Sequence, residues 1–242
     1  MSAYGFLAPW YDGLTKDVNY SSLADYYETE INRGIHGAKI VLDLACGTGS
    51  LTRILAQRNY SMIGVDISED MLAQAAQKGG DILYLRQNLC TLDLYGTVDA
   101  AICSLDGINY ISPKDLDEVF GRVSLFLNPG GVFAFDMHSP NHLQGLDGQV
   151  FYEEGEDFLC YWRCGWDSAQ AACTYDFDLF TRTGNLWRRQ EEQHIEYAHP
   201  PEEILKRLQA KGFTEISILK SEEAGAPQVG QNRLFITARK GT

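Results

Sequence analysis

Residues 40–52 read IVLDLACGTGSLT, a short apolar run that passes directly into a glycine-rich turn. The run from Ile40 to Leu44 is typical of a strand that is buried on both faces of a parallel sheet. Gly47 and Gly49 allow the backbone to turn tightly and to come close to a ligand. Apolar residues then recur at helical spacing, so we expect a helix whose unpaired N–H groups point at that ligand.

Two acidic residues flank this turn. Asp43 comes just before the glycines, and Asp66 ends a second apolar run roughly 20 residues after them. That interval leaves room for one helix and a return to the neighbouring strand, where a carboxylate can accept hydrogen bonds from a ribose diol. The third glycine of the dinucleotide fingerprint is missing, so the glycines alone are weak evidence and the carboxylates are more informative.

The motifs Asp43-Leu-Ala-Cys-Gly-Thr-Gly49 and Gly64-Val-Asp66-Ile-Ser68 together resemble motifs one and two of class I S-adenosylmethionine-dependent methyltransferases. The resemblance implies an α/β fold with a Rossmann-like, seven-stranded, mostly parallel sheet whose final strand is antiparallel. It also implies S-adenosylmethionine as the cofactor and S-adenosylhomocysteine as its product. A nicotinamide or flavin enzyme is the alternative that a glycine-rich turn leaves open.

The same resemblance predicts which residues bind the cofactor. Those in the first three motifs are Asp43, Ala45, Cys46, Gly47, Thr48, Gly49, Asp66, Ile67, Met71, Asn88 and Leu89. Ser104 and Leu105, in the fourth motif, are expected near the sulfur end of the cofactor. The family commonly has Asp at the position of Asn88, whose carbonyl can still accept a bond from the adenine amino group. A simple turn residue is the alternative for Asn88.

The N-terminal segment Phe6-Leu-Ala-Pro-Trp-Tyr11-Asp12 is similar to an element of one methyltransferase branch. That branch includes bacterial sugar-amine N,N-dimethyltransferases, and there the element folds over the cofactor with a tyrosine near the sulfonium. An aromatic ring beside a sulfonium is favourable through cation–π attraction. Tyr11 and Tyr20 are therefore predicted to contact the cofactor. The alternative is that these aromatic residues only cap the sheet.

Three side chains near the carboxyl ends of later strands are candidate catalytic groups. Asp106 and Tyr110 follow the predicted strand Val98–Cys103, and His138 follows the strand Val132–Phe135. Open α/β sheets bind their ligands at this edge. An amine nucleophile must be unprotonated, so a nearby proton acceptor helps, and histidine can change charge near neutral pH. A structural histidine bonded to the loop is the alternative for His138.

Two domains are expected. Residues 1–140 and 199–242 form the cofactor-binding domain, in which Ser112-Pro113 opens a helix. Residues 141–198 read as an antiparallel β meander inserted between the fifth strand and the next helix. We expect this insertion to roof the active site as a substrate lid. A role in dimerisation or as plain scaffold is the alternative.

Composition limits the partners. The net charge is −13, from 33 acidic and 20 basic residues, which argues against nucleic acid and favours a cationic or neutral substrate. Six cysteines include no C-x-x-C pair and no paired histidines, so no metal site is expected. The absence of a signal peptide and of a long apolar run predicts a cytoplasmic monomer or homodimer without a membrane partner.

The sequence thus predicts a methyltransferase that acts on N or O of a small-molecule acceptor. Two alternatives stay open. One is methylation of RNA or protein, and the other is a non-catalytic domain that binds S-adenosylmethionine.

Overall fold

The computed structural model describes residues 4–220 and 232–242. Its strands are β1 (Ile40–Leu44), β2 (Ser61–Asp66), β3 (Leu83–Arg86), β4 (Val98–Cys103), β5 (Leu127–His138), β6 (Val150–Glu154), β7 (Phe158–Asp167), β8 (Ala172–Thr183), β9 (Leu186–Tyr197), β10 (Phe213–Lys220) and β11 (Arg233–Lys240). Its helices are α1 (Tyr11–Leu14), α2 (Tyr20–Gly34), α3 (Ser50–Gln57), α4 (Glu69–Gln77), α5 (Leu116–Phe126), α6 (Pro140–Gly145) and α7 (Pro201–Ala210). None of these helices is long and apolar enough to cross a membrane.

Seven strands form the main sheet in the order β10-β11-β5-β4-β1-β2-β3. All neighbours run parallel except β11, which is antiparallel to both β5 and β10. The predicted fold class, with its antiparallel final strand, is therefore confirmed. The strand order reverses between β1 and β4, which is where open α/β sheets leave a crevice for a ligand.

The central strands β1, β4 and β5 are buried on both faces because they are largely apolar. Alternate residues of β1 point to opposite sides, so Leu42 packs in the cluster that contains helix α5, whereas Val41 packs in the cluster that contains α2 and α3. Phe120 of α5 lies against Phe133 and Phe135 of β5, with ring centroids 6.0 Å apart in each pair. This core holds the carboxyl ends of the strands in place around the crevice.

Strands β6–β9 form a second, antiparallel sheet in sequential order. Strands β8 and β9 pair without a break from Ala172–Tyr197 to Thr183–Leu186. Asn109, which is fully buried, joins this sheet to the main one. Its amide donates to the Tyr197 carbonyl at 3.0 Å and accepts from the His138 N–H at 2.9 Å.

The predicted helix start at Ser112-Pro113 is wrong, because α5 begins at Leu116. Residues 112–115 form a turn in which the Asp115 N–H donates to the Ser112 carbonyl at 2.9 Å. The Ser112 hydroxyl also donates to the Asp115 carboxylate at 2.5 Å. Proline suits the second position of a β-turn as well as it suits the first turn of a helix.

Candidate active site

A cavity of about 400 Å³ lies at the carboxyl ends of β1, β2 and β4. Most of the predicted cofactor residues line it, together with one predicted catalytic residue. They are Tyr11, Tyr20, Ala45, Cys46, Gly47, Thr48, Asp66, Ile67, Met71, Asn88, Leu89, Ser104, Leu105 and Tyr110. Asp43, Gly49, Asp106 and His138 are not among the lining residues.

Asp66 presents a preorganised carboxylate at the end of β2. Its two oxygens accept the Gly47 N–H at 2.9 Å and the Ser68 N–H at 2.8 Å. Burial raises the pKa of Asp66, although both N–H groups act in the opposite direction. Each oxygen keeps a lone pair for the two hydroxyls of a ribose. Gly47 has φ +54°, and a Cβ placed there would meet only open space, so this turn fits an adenosyl group.

Asp43 and Gly49 lie beneath the turn. One Asp43 oxygen accepts the Thr52 hydroxyl at 2.6 Å, and the other has no hydrogen-bond partner within residues 4–220 and 232–242. Burial raises the pKa of Asp43 to about 7, against the effect of the Thr52 bond. Gly49 has φ +70°, and a Cβ there would clash with the Tyr84 hydroxyl. Both residues shape the turn, and their contact with a cofactor stays a prediction.

Asn88 caps a short 3₁₀ turn, Leu89–Thr91, and its side-chain oxygen accepts the Cys90 N–H at 2.9 Å. Asn88 therefore acts as a turn residue, which was the alternative to adenine recognition. The second lone pair of the oxygen and the two amide hydrogens remain for a ligand. Adenine recognition by Asn88 stays a prediction.

The N-terminal segment, residues 4–20, contributes three tyrosines to the cavity: Tyr4, Tyr11 and Tyr20. The rings of Tyr4 and Tyr11 meet edge to face, with centroids 5.4 Å apart, and the Tyr20 hydroxyl donates to Thr15 at 3.1 Å. Burial raises the pKa of all three tyrosines, so their hydroxyls are neutral at physiological pH. Tyr4 was not predicted as a site residue, because only its aromatic character was visible in the sequence.

Asp12 fastens this segment to the glycine turn. Its carboxylate accepts the Thr48 hydroxyl at 2.6 Å and the Ser50 hydroxyl at 3.2 Å, and it pairs with the Lys78 ammonium at 2.6 Å. Partial burial raises the pKa of Asp12, but the bonds from Lys78 and Thr48 outweigh that effect and lower it overall. We call these four residues the Asp12 latch. The Thr48 hydroxyl is engaged by the latch.

His138 and Asp106 belong to a buried ionic cluster rather than to the cavity wall. Arg233 donates to the Asp106 carboxylate at 2.7 Å and to His138 Nε2 at 2.9 Å, and it also bonds Asp136. Since Nε2 accepts from Arg233, His138 Nδ1 carries the hydrogen and donates to Glu196 at 3.0 Å. Both ring nitrogens are engaged, so the geometry does not favour His138 as a proton acceptor. Its catalytic role and that of Asp106 stay predictions.

Three members of the cluster have the chemistry of a metal site. Asp106, His138 and Glu196 offer ligand atoms within 4.8 Å of one another. The Arg233 guanidinium supplies a positive charge between Asp106 and His138. Burial raises the pKa of Glu196, and Asp106 adds to this, while His138 and Arg233 oppose it.

Tyr110 meets side chains that sequence reasoning missed. Its hydroxyl lies 2.7 Å from that of Tyr4 and 3.3 Å from His194 Nδ1. His194 Nε2 lies 2.9 Å from a carboxylate oxygen of Glu192. The sequence did indicate that these polar residues lie together, because Glu192, His194 and Glu196 occupy alternate positions along β9 and so share one face of the sheet.

Comparison with known proteins gives a consistent result. The Methyltransferase domain family matches residues 41–131. Putative methyltransferase YqeM of Bacillus subtilis (strain 168) is 29% identical, covering 98% of this chain and 97% of that protein. An S-adenosylmethionine-dependent methyltransferase from Clostridium acetobutylicum ATCC 824, solved by crystallography, is 28% identical with a TM-score of 0.85 over 100% of both chains. The sugar N-methyltransferase KedS8 from Streptoalloteichus sp ATCC 53650 is 22% identical with a TM-score of 0.84, covering 100% of this chain and 97% of its own.

The likenesses to YqeM and to the Clostridium acetobutylicum enzyme extend over nearly the whole chain, and they agree with the fold described above. The resemblance predicted from the two motifs is confirmed, as is S-adenosylmethionine as the cofactor. The chain is an S-adenosylmethionine-dependent methyltransferase, similar over nearly its whole length to curated and solved methyltransferases.

Proposed function

We propose that this enzyme transfers the methyl group to an amine nitrogen of a small molecule. The observation that carries the proposal is a cavity of small-molecule size, lined by tyrosines of an N-terminal segment that is bonded to the inserted sheet. The Gly5 N–H donates to Glu192 of the inserted sheet at 3.1 Å, and Lys16 pairs with Glu153 of the same sheet. The volume of about 400 Å³ falls in the range of small-molecule sites. A polymeric acceptor would need an open groove, and RNA would also need a basic surface.

The preference for nitrogen rests on the side chains near the roof. Tyrosine rings and the carboxylate of Glu192, whose side chain is 8% exposed, attract a cationic group more than a neutral hydroxyl. The fold of KedS8, a sugar N-methyltransferase, gives further support at the level of architecture. A hydroxyl acceptor is the second candidate, since the same cavity would admit it.

In this proposal, S-adenosylmethionine supplies a methyl group that its sulfonium has already activated. Asp66 holds the ribose, Ile67 and Met71 flank the adenine, and Ser104 and Leu105 lie at the sulfur end. The N-terminal tyrosines and the inserted sheet exclude water and hold the acceptor in line with the methyl group. Such positioning alone is worth several kcal/mol of the barrier.

A methyl-transfer assay with radiolabelled S-adenosylmethionine tests the proposal. The acceptors are amino sugars, amino acids and alkylamines, each paired with the analogue in which a hydroxyl replaces the amine. We expect label in amines and not in their hydroxyl partners. Transfer only to hydroxyls, to RNA or to protein would contradict the proposal.

Asp66→Asn should weaken S-adenosylmethionine binding by about 1–3 kcal/mol, because the charged acceptor of the ribose hydroxyls is lost while the shape is kept. Calorimetric titration measures the change. Asp70→Asn, an exposed carboxylate in the first turn of α4, is the matched control and should bind normally. Unchanged affinity in Asp66→Asn would show that the ribose binds elsewhere.

Asp12→Ala should weaken cofactor binding roughly two- to fivefold, since the Asp12 latch includes a partly exposed ion pair of modest strength. Lys78→Met should have a similar effect, and the double variant should lose little more, because the two residues share one interaction. Asp17→Ala, an exposed carboxylate of the same segment, serves as the control. Additive losses would show that Asp12 and Lys78 act independently.

A further inference from the structure

The inner face of β9 places a buried histidine and carboxylate behind the two tyrosines at the roof of the cavity. We propose that Glu192, His194, Tyr110 and Tyr4 form a proton relay that takes a proton from the amine acceptor, a role that rests on the proposed function. Tyr4 is the member that would touch the substrate. The other three act through it, and His194 is the final acceptor.

The direction of the hydrogen bonds follows from the chemistry of each group. A carboxylate only accepts, so His194 Nε2 carries a hydrogen and donates it to Glu192 at 2.9 Å. His194 Nδ1 is then an acceptor, and the Tyr110 hydroxyl donates to it at 3.3 Å. The Tyr110 oxygen is left to accept from Tyr4, 2.7 Å away. The remaining lone pairs of the Tyr4 oxygen can therefore accept an N–H from the acceptor amine.

The burial of the relay suits this task. The His194 side chain is 0% exposed and that of Glu192 is 8% exposed, so neither exchanges protons freely with solvent. The second oxygen of Glu192 has no hydrogen-bond partner among the described residues, which leaves its negative charge to stabilise an imidazolium. Burial raises the pKa of both Tyr4 and Tyr110, so these hydroxyls pass a proton on and do not become phenolates.

The step balances without any other reactant. An ammonium N–H gives its proton to the Tyr4 oxygen, the Tyr4 proton passes to Tyr110, and the Tyr110 proton passes to His194 Nδ1. The amine keeps its lone pair, which forms the new N–C bond as the C–S bond breaks and its electron pair stays on sulfur. His194 is left as an imidazolium paired with Glu192, and its proton returns to solvent when the roof opens.

Other titratable groups surround the relay. Those that face His194 or act on its tyrosines are Tyr4, Tyr110, Tyr175, Glu192, Glu196, Asp106 and Asp66. The carboxylates of Asp106 and Glu196 are bonded to Arg233 and His138 respectively. Glu192 is thus the carboxylate that pairs directly with His194.

Sinefungin provides a test that does not require the natural acceptor. This cofactor analogue carries an amine where the cofactor has its methylsulfonium, whereas S-adenosylhomocysteine has no such group. Calorimetry at pH 8 should show that the wild-type protein binds sinefungin about tenfold more tightly than S-adenosylhomocysteine, through the charged bond to Tyr4.

His194→Gln and Glu192→Gln should each lose most of the sinefungin preference, while the affinity for S-adenosylhomocysteine changes less than about twofold. Gln193→Ala, on the opposite face of β9, is the control and should behave as wild type. If a glutamine variant fails to fold, Tyr4→Phe tests the relay instead, because it removes only the hydroxyl that would contact the amine. A preference that survives in these variants, or that is absent from the wild type, would overturn the relay.

The outcome is separable from that of the acceptor assay. An amine panel without turnover, alongside an intact sinefungin preference that depends on His194, would refute the proposed acceptor class and leave the relay standing. Methylation of amines by a protein that shows no sinefungin preference would support the proposed acceptor class and refute the relay.

Discussion

Arg233→Met should lower the free energy of unfolding by about 3–5 kcal/mol, because it leaves buried carboxylates without their counter-charge. Arg233 is 5% exposed and bonds both Asp106 and Asp136, and Asp136 is fully buried. Burial lowers the pKa of Arg233, but the two carboxylates outweigh that effect and raise it, so the guanidinium stays charged. Asp136 also accepts the Tyr27 hydroxyl at 2.5 Å and the Leu105 N–H at 3.0 Å. Because Leu105 lines the cavity, an unpaired charge on Asp136 would also disturb the cavity wall.

Urea unfolding followed by circular dichroism measures this change. Arg122→Met removes an exposed ion pair with Glu118 and should cost less than about 0.5 kcal/mol. Adding Asp136→Asn to Arg233→Met should recover part of the loss, since the unpaired charge is removed. A small effect of Arg233→Met, similar to that of Arg122→Met, would show that the cluster is hydrated and does not hold the fold together.

Asp43→Asn should stabilise the cofactor-free protein above pH 7 by on the order of 2–4 kcal/mol, since about 1.4 kcal/mol corresponds to each unit of pKa. The folded-state pKa of Asp43 is raised to about 7 from an ordinary value of 3.8. A protonated Asp43 therefore favours the folded state fully below pH 4, and that contribution is lost as the pH rises through about 7. Asparagine keeps the acceptor for the Thr52 hydroxyl without ionising.

The test is the difference in unfolding free energy between Asp43→Asn and wild type, measured from pH 4 to pH 8. The two proteins should be equally stable near pH 4 and diverge as the pH rises. A constant difference would contradict the raised pKa. Titration of Asp43→Asn with S-adenosylmethionine also tests the predicted cofactor contact, which requires a weaker affinity in this variant.

The part of the site that follows β1 and β2 was predictable because its chemistry is local. The tight turn at Gly47 and the carboxylate of Asp66 are fixed by residues that are close in sequence, and Asp66 bonds the Gly47 N–H directly. The regular strands were predictable for the same reason, since apolar runs between turn residues have few other uses in a parallel sheet.

The environment of His138 could not be predicted, because it depends on a residue that lies 95 positions further along the chain. Arg233 begins the antiparallel strand β11, and the register of that strand places it directly opposite His138 of β5. The position of His138 at the ligand edge of the sheet was evident from the sequence, but the arginine that donates to its ring nitrogen was not.

The contact between His194 and Tyr110 could not be predicted from the sequence, for a related reason. Alternation along β9 groups Glu192, His194 and Glu196 on one face, but it does not say which face meets the cavity. That choice is made by the buried Asn109, which bonds the Tyr197 carbonyl at the end of β9 and so orients the inserted sheet.

The N-terminal segment is bonded both to the residues around the glycine turn and to the inserted sheet. This double attachment has a kinetic consequence. We expect release of the spent nucleoside to require separation of the Lys78–Asp12 and Lys16–Glu153 pairs, since they hold the segment whose tyrosines line the cavity, and lid opening of this kind often limits turnover. Added salt screens partly exposed ion pairs. Steady-state velocity should therefore rise with moderate ionic strength, even though the transfer reaction itself takes place away from bulk solvent.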